Sequence, residues 1–275
     1  MQFFPGCTLS ASAKPYRRSL EGLLAYLGVE LEELPDWSCC GASSAHSLDR
    51  HLAHRLAARN LLLARGELLA ACSACYSRLK LTQKALEDEP GLRAELEGLF
   101  EGELDPGLRV RSILEVLRDN LGGIRSHLEG LELKVACYYG CLLTRNPRIP
   151  PFDSVEDPTS MEQLVEAIGA EPIPWSGKTD CCGAGFSLTR EEVFLRLSTA
   201  ILDKARLFGA EAIAVACPFC HYNLDYAQWK LRPERVVPVL YITQLLGLAL
   251  GVREGLMLDA NLTKFDLEKE KVVHG

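Results

Sequence analysis

Lys134-Val135-Ala136-Cys137-Tyr138-Tyr139-Gly140-Cys141 is an apolar run that closes on Gly-Cys, and Gln2-Phe3-Phe4-Pro5-Gly6-Cys7 repeats the arrangement at the start of the chain. Short apolar runs of this kind read as buried strands, each with a cysteine at its carboxyl end. Outward from both, the same two motifs follow in the same order. Cys39-Cys40-Gly41 and Cys181-Cys182-Gly183 come next, then Cys72-Ser73-Ala74-Cys75 and Cys217-Pro218-Phe219-Cys220. Of 11 cysteines, only Cys137 lies outside the two sets of five. The repeat divides the chain into two halves, taken as residues 1–128 and 129–275, the second including a C-terminal helix and tail.

Each half alternates helix and strand. Leu20, Leu23, Leu24 and Leu27 recur at helical spacing, as do Met161, Leu164, Val165 and Ile168. Both runs stop at a glycine, Gly28 or Gly169, suited to a left-handed C-terminal cap. Short strands are expected at Val29–Leu34 and Glu171–Pro174, ahead of each Cys-Cys-Gly. The runs Leu68–Ala71 and Ala212–Ala216 then deliver the Cys-x-x-Cys. Thr189 and Glu192 form a capping-box pattern before Phe194, Leu197 and Ile201. At the start of each final helix, Arg111-Ser112-Ile113-Leu114 is expected to correspond to Tyr241-Ile242-Thr243-Gln244. Glu87 to Pro106 reads as a loop or ragged helix, Asp157-Pro158 as part of a second loop, and the residues after Gly255 as a polar, mobile tail. The expected fold is α/β: two similar domains, each a small, mainly parallel sheet flanked by helices, related by pseudo-twofold symmetry. Ligand sites in such sheets gather at the carboxyl ends of strands, where all ten paired cysteines fall.

Composition narrows the chemistry. The 275 residues are 48% hydrophobic and 24% charged, with a formal net charge of −7. That balance fits a globular protein and argues against nucleic acid as partner. No apolar stretch reaches the length of about 18 residues that marks a membrane span. The longest candidate, Val236 to Val252, is broken by Pro238, Thr243 and Gln244. No export signal precedes Cys7, so the expected location is the cytoplasm, where dense cysteines read as metal or redox chemistry rather than disulfides.

Adjacent residues of a strand point to opposite faces, so Cys39 and Cys40 meet one site only if the backbone turns, and Gly41 and Gly183 supply that freedom. Gly6 and Gly140 leave room for cluster sulfides to approach the backbone. Three readings stay open: inert buried thiols, a structural zinc in each half, and iron–sulfur clusters. Zinc uses four thiolates and would strand a fifth. Thiolate ligation suits both metals, so ligand type does not choose.

These residues resemble the B subunit of heterodisulfide reductase and its bacterial relatives, the CCG-domain family. The resemblance rests on the duplicated Cys-Cys-Gly and on Phe4-Pro5-Gly6-Cys7-Thr8, Trp37-Ser38-Cys39-Cys40-Gly41-Ala42, Tyr139-Gly140-Cys141-Leu142-Leu143, Cys181-Cys182-Gly183-Ala184-Gly185-Phe186 and Cys217-Pro218-Phe219-Cys220-His221. Pro238 to Gly247 also looks like that family, and the likeness runs over nearly the whole chain. It implies two noncubane [4Fe–4S] clusters, held by Cys7, Cys39, Cys40, Cys72 and Cys75, and by Cys141, Cys181, Cys182, Cys217 and Cys220. It implies a disulfide or thiol substrate in a cleft between the clusters, and electrons from a flavin-bearing partner through a small iron–sulfur subunit. The methanogenic members carry a His directly after the second Gly-Cys, where this chain has Leu142.

The expectation is therefore an iron–sulfur oxidoreductase subunit that reduces or forms a disulfide or related sulfur substrate within a complex. The first rival is an electron-transfer subunit of a succinate, lactate or glycolate dehydrogenase complex with no substrate of its own. The second is a zinc-bound structural protein. His46, His221 and Lys178 are the candidate catalytic residues: His46 for proton delivery, His221 as a hydrogen-bond donor to a cluster sulfur, Lys178 as an offset to cluster charge, with a solvated lysine as its plain alternative. His51 and His54 read as a solvated helix face, Trp37 and Trp175 as lids or core, and Cys137 as a buried spare thiol.

Overall fold

Strands buried on both faces need helices on both sides, and this chain builds that arrangement twice. A computed structural model describes residues 1–42, 45–125 and 131–265, without the side chains of His46, Ser47 and Arg50. Strands β1 (Gln2–Phe4), β2 (Glu32–Glu33), β3 (Glu67–Ala70) and β4 (Arg109–Arg111) form one sheet in the order β2-β1-β3-β4. Strands β5 (Lys134–Tyr138), β6 (Glu171–Pro172), β7 (Ala212–Val215) and β8 (Val239–Tyr241) form a second in the order β6-β5-β7-β8. Every pairing is parallel. The expected boundary at 128/129 lies outside the described residues.

The registers match between halves. Phe4 pairs with Ala70, and Tyr138 with Val215, so Cys72 and Cys217 each sit two residues beyond a central strand. In both sheets the chain leaves its first strand in one direction and returns on the other side. That order opens a crevice at the carboxyl ends of the two middle strands, where Gly-Cys and Cys-x-x-Cys both lie.

The halves embrace reciprocally. Helix Lys14–Tyr26 of the first packs on Ile242–Ala249, the final helix of the second. Its counterpart Ser160–Ala167 packs on Ile113–Asp119, the helix that follows β4 in the first half. An exchange of equivalent contacts is the mark of a twofold relation. Helix Lys14–Tyr26 buries Tyr16, Leu20, Leu23 and Leu24 completely, each large apolar side chain contributing about 2 kcal/mol. It ends at Gly28, and its counterpart at Gly169, both at positive φ.

Three local expectations are corrected and one is refined. Helix Glu191–Leu207 has Arg190 as N-cap and no side-chain cap. Thr189 is drawn into the preceding turn, its N–H donating to Phe186 O. Glu191 and Glu192 instead place negative charge in the first turn, which favours the helix dipole. Glu87 to Pro106 is the ragged helix of the two alternatives as far as Phe100, then loop: helix Ser73–Asp88 stops at Glu89, and Pro90–Phe100 begins anew with proline in its first turn. His54 is not solvated; it is buried, with Nδ1 3.0 Å from Thr82 Oγ1, whereas His51 is exposed. The residues after Gly255 are packed as far as Phe265. The buried Asp225 carboxylate accepts from the backbone of Leu262 at 2.7 Å and of Thr263 at 2.9 Å. Residues 266–275 lie outside the described residues. Hydrogen bonds to a charged group contribute about 1.5–3 kcal/mol each, so Asp225→Ala is expected to free this strap. Limited proteolysis checks it, with new cuts between residues 256 and 265.

Candidate functional site

Six of the ten paired cysteines are buried: Cys40, Cys72 and Cys75, and Cys182, Cys217 and Cys220. Cys39 and Cys141 are half-buried, and Cys7 and Cys181 are exposed. Their sulfurs form a nearly continuous path. Cys39 bonds Cys40, whose Sγ lies 3.1 Å from that of Cys75. Cys75 and Cys72 are free thiols near enough to shift each other's ionisation, and so are Cys72 and Cys217 of the other half. Cys217 bonds Cys220, whose Sγ is 3.8 Å from that of Cys182. Cys141 and Cys181 bond each other at the far end. The two sets therefore meet at the buried inter-half interface.

Local backbone makes this possible. Gly140 adopts φ 68° and ψ −176°, and a Cβ there would lie 2.9 Å from Cys220 Sγ. At Gly6 it would lie 3.1 Å from Cys75 Sγ. A side chain at either glycine would therefore press on the last cysteine of its set. The Tyr139 and Gly140 N–H groups donate to Lys178 O at 2.8 and 3.1 Å, tying Gly-Cys to the approach of Cys-Cys-Gly. Gly183, at φ 80°, turns the chain after Cys182 and donates its N–H to Cys181 Sγ at 3.4 Å. Ser198 Oγ and Asn223 Nδ2 donate to Cys182 O at 3.0 and 3.1 Å.

Neighbouring sulfurs push the thiols in both directions along the path, with Cys75 and Cys72 both raised. Hydrogen bonds from Cys39 and Cys75 hold the Cys40 thiol down at about 4, with a further contribution from the Arg78 guanidinium. Cys141 likewise holds Cys181 at about 6. Cys217 is lowered by Cys220 and Cys72. Their partners Cys39, Cys75, Cys141 and Cys220 are raised, each first by its neighbouring sulfur and then by burial. Thiolates sit next to thiols, as in a set waiting to lose its remaining protons to metal.

The other predicted residues are spread around this path. Lys178 is neither solvated nor free: its Nζ lies 2.6 Å from Asp157 and 2.9 Å from Glu162, and its side chain is 13% exposed. His221 is buried and stacks on Tyr241 at 4.3 Å, its Nε2 has no hydrogen-bond partner, and burial lowers its pKa. The His46 side chain lies outside the described residues. Trp175 is core, its indole donating to Cys137 O at 3.1 Å, while Trp37 is half-buried against Phe4. Cys137 is a fully buried thiol inside β5. Tyr16, Asn223 and Ser198, which hold the cysteine-bearing backbone, belong to no motif, and Ser73 fills a variable position of Cys-x-x-Cys. No sequence signal singled them out.

Known proteins settle the family. A family described as CCG, the cysteine-rich domain, matches residues 1–80 and 135–225. The chain belongs to the CCG family. The CCG chain is 35% identical to the 8-methylmenaquinol:fumarate reductase membrane anchor subunit of Wolinella succinogenes, over 91% of this chain and 92% of that one. It is 32% identical to the B subunit of the ferredoxin/F(420)H(2)-dependent CoB-CoM heterodisulfide reductase of Methanosarcina acetivorans, over 91% and 89%. A crystal structure of a hypothetical protein from Helicobacter pylori shares the fold, with a TM-score of 0.72 at 14% identity, covering 97% of this chain and 52% of that one. No helix among the described residues is long and apolar enough to cross a membrane.

A CCG domain implies iron–sulfur binding, and the residues present fit it. All ten donors are thiols, the softest ligands a protein offers. Five thiols in each half also exceed the four that a tetrahedral zinc site uses. The sulfurs are strung along a path.

Proposed function

We propose that this CCG chain is an iron–sulfur oxidoreductase subunit that carries two [4Fe–4S] clusters, noncubane in type, and works within a complex. Cys7, Cys39, Cys40, Cys72 and Cys75 would hold one, and Cys141, Cys181, Cys182, Cys217 and Cys220 the other. Bound clusters supply one-electron reduction, at potentials tuned by hydrogen bonds and burial. The observation that supports a paired role is the Tyr16 hydroxyl, which donates to the carbonyls directly before Cys72 and Cys217, at 3.0 and 3.2 Å, and so brings the two sets together inside the protein. Splitting a disulfide takes two electrons and two protons and gives two thiols. Two adjacent one-electron sites match that demand, so a disulfide or related sulfur compound is the proposed substrate.

The chain's own residues perform the supporting work. Buried Cys40, Cys72, Cys182 and Cys217 keep water from the junction. Asn223 and Ser198 orient the second Cys-Cys-Gly. Exposed Cys7 and Cys181 lie where outside molecules reach the path. Flavin-bearing and small iron–sulfur subunits are the proposed electron partners, and a reducing cytoplasm suits the free thiols.

A second reading is favoured by the relative named as a fumarate reductase subunit, the more similar of the two enzymes compared. In it the chain passes electrons between partners and has no substrate of its own. One experiment orders the readings. Protein purified without oxygen is expected to hold about eight irons and as many sulfides per chain. Stoichiometric zinc with no iron after anaerobic reconstitution would sink both iron–sulfur readings. A loaded complex that exchanges electrons with a quinol, yet leaves every disulfide offered intact, would favour the conduit.

A further inference from the structure

Ala71 and Ala216 are equivalent residues, each directly before the first cysteine of a Cys-x-x-Cys. The Tyr16 hydroxyl donates to both carbonyls, at 3.0 Å to Ala71 and 3.2 Å to Ala216. One hydroxyl has one proton, so it is shared between two acceptors. The near-equal distances put this oxygen close to the pseudo-twofold axis, beside the Cys72–Cys217 contact. Ser73 Oγ adds a second donor to Ala216 O, at 3.2 Å and again across the interface. The post that carries the hydroxyl is stiff. The Tyr16 ring is fully buried and lies on Tyr241 at 4.2 Å and 2°, and Tyr241 lies on His221 at 4.3 Å and 9°.

We propose that Tyr16, backed by Ser73, is a positioning residue that sets the separation of the two cysteine sets and so the electronic coupling between the clusters they carry. This rests on the two-cluster reading above. The Ala71 carbonyl and the Cys72 N–H are one rigid peptide group, as are those of Ala216 and Cys217. Pinning the two carbonyls to one oxygen fixes the two cysteines relative to each other. Without the hydroxyl, Ala71 O loses this donor, and the link through one oxygen to Ala216 O is gone. Buried acceptors without partners are costly, and the halves relieve that cost by moving apart or admitting water. Coupling between two redox centres falls steeply with distance, so a small shift is readable. Tyr16 comes from one half only, so a single side chain serves both sites.

The test uses Tyr16→Phe in the full chain, which keeps the ring stack and removes the donor. Three readouts are taken: iron and sulfide per chain, the paramagnetic resonance spectrum of the fully reduced protein, and the unfolding temperature. Iron and sulfide are expected to equal wild type, while the splitting from mutual interaction of the two clusters narrows. Ser73→Ala should shift the spectrum the same way by less. Ser19→Ala is the structural control, since Ser19 Oγ and Thr243 Oγ1 form another buried inter-half bond at 2.7 Å. It should lower the unfolding temperature and leave the spectrum unchanged. An unchanged Tyr16→Phe spectrum overturns the proposal, as does an equal change in Ser19→Ala. If Tyr16→Phe does not fold, an unchanged Ser73→Ala spectrum overturns it instead. Wild-type protein with fewer than two clusters overturns the two-cluster reading itself, and the iron assay separates that failure from this one.

Discussion

Cys40→Ala is expected to halve the iron of the anaerobic protein, from about eight to about four per chain, and Cys182→Ala to do the same at the other site. The two are equivalent residues at the turn of Cys-Cys-Gly, and both are buried. Cys40 is the most ready ligand of its set. Its thiol is held at about 4 by Cys39 and Cys75, so it is ionised at neutral pH. Losing it removes the charge and the sulfur that touches both neighbours. Cys182 occupies the same place, 3.8 Å from Cys220, on a backbone carbonyl fixed by Ser198 and Asn223. The sets share no residue, which predicts independent loading. The two sets come together at Cys72 and Cys217, and neither substitution touches either residue. Iron and sulfide per chain, with thermal unfolding as a check on the fold, read the result. Loss of both clusters from either folded variant would overturn independence and make the junction a single cooperative site.

The cysteine order makes the architecture legible because each motif marks a strand end. Once Gly6-Cys7 and Gly140-Cys141 are taken as strand ends, the parallel sheets and their equivalent registers follow. Short-range chemistry is less legible. The Thr189–Glu192 capping pattern loses to a turn that claims Thr189, and Glu87–Pro106 looks irregular although Pro90 merely restarts a helix. The expected match of Arg111 to Tyr241 is one residue out of step: Arg111 pairs with Leu69 and Leu240 with Ala214, so Ser112, not Arg111, corresponds to Tyr241. Both are the N-caps of the helices that follow β4 and β8. The junction between the sets is beyond a motif's reach. Cys72 and Cys217 meet only because reciprocal helix packing closes the interface, and Tyr16 reaches both strand ends from a helix with no signature. Lys178 reads as solvated in the sequence because its partners Asp157 and Glu162 come from a loop and a helix whose approach no local pattern encodes.

Gly140→Ala is expected to empty the second site while the first stays loaded. The backbone at φ 68° and ψ −176° lies in a region that is essentially glycine's own. A side chain there costs about 1–3 kcal/mol in backbone strain alone. The new Cβ would also sit 2.9 Å from Cys220 Sγ, a distance that real Cβ atoms essentially never show. Relief requires Cys220 to withdraw, and Cys220 is bonded to both Cys182 and Cys217. The displacement therefore reaches three sulfurs of one set. Gly6→Ala is the milder counterpart, since its Cβ would meet Cys75 Sγ at 3.1 Å. The expected order of iron retention is wild type, then Gly6→Ala, then Gly140→Ala. Replacing Gly183 tests the turn rather than the sulfur. Its Cβ would lie 2.9 Å from the Phe194 Cα, so Gly183→Ala should push helix Glu191–Leu207 away and lower the unfolding temperature of the metal-free protein too. Gly140→Ala acts on the sulfur packing, so its larger signature belongs to the loaded form. Full iron in Gly140→Ala would mean that the Gly-Cys turn is free to change its backbone, and the tight packing of Gly140 on Cys220 would then have no part in building the site.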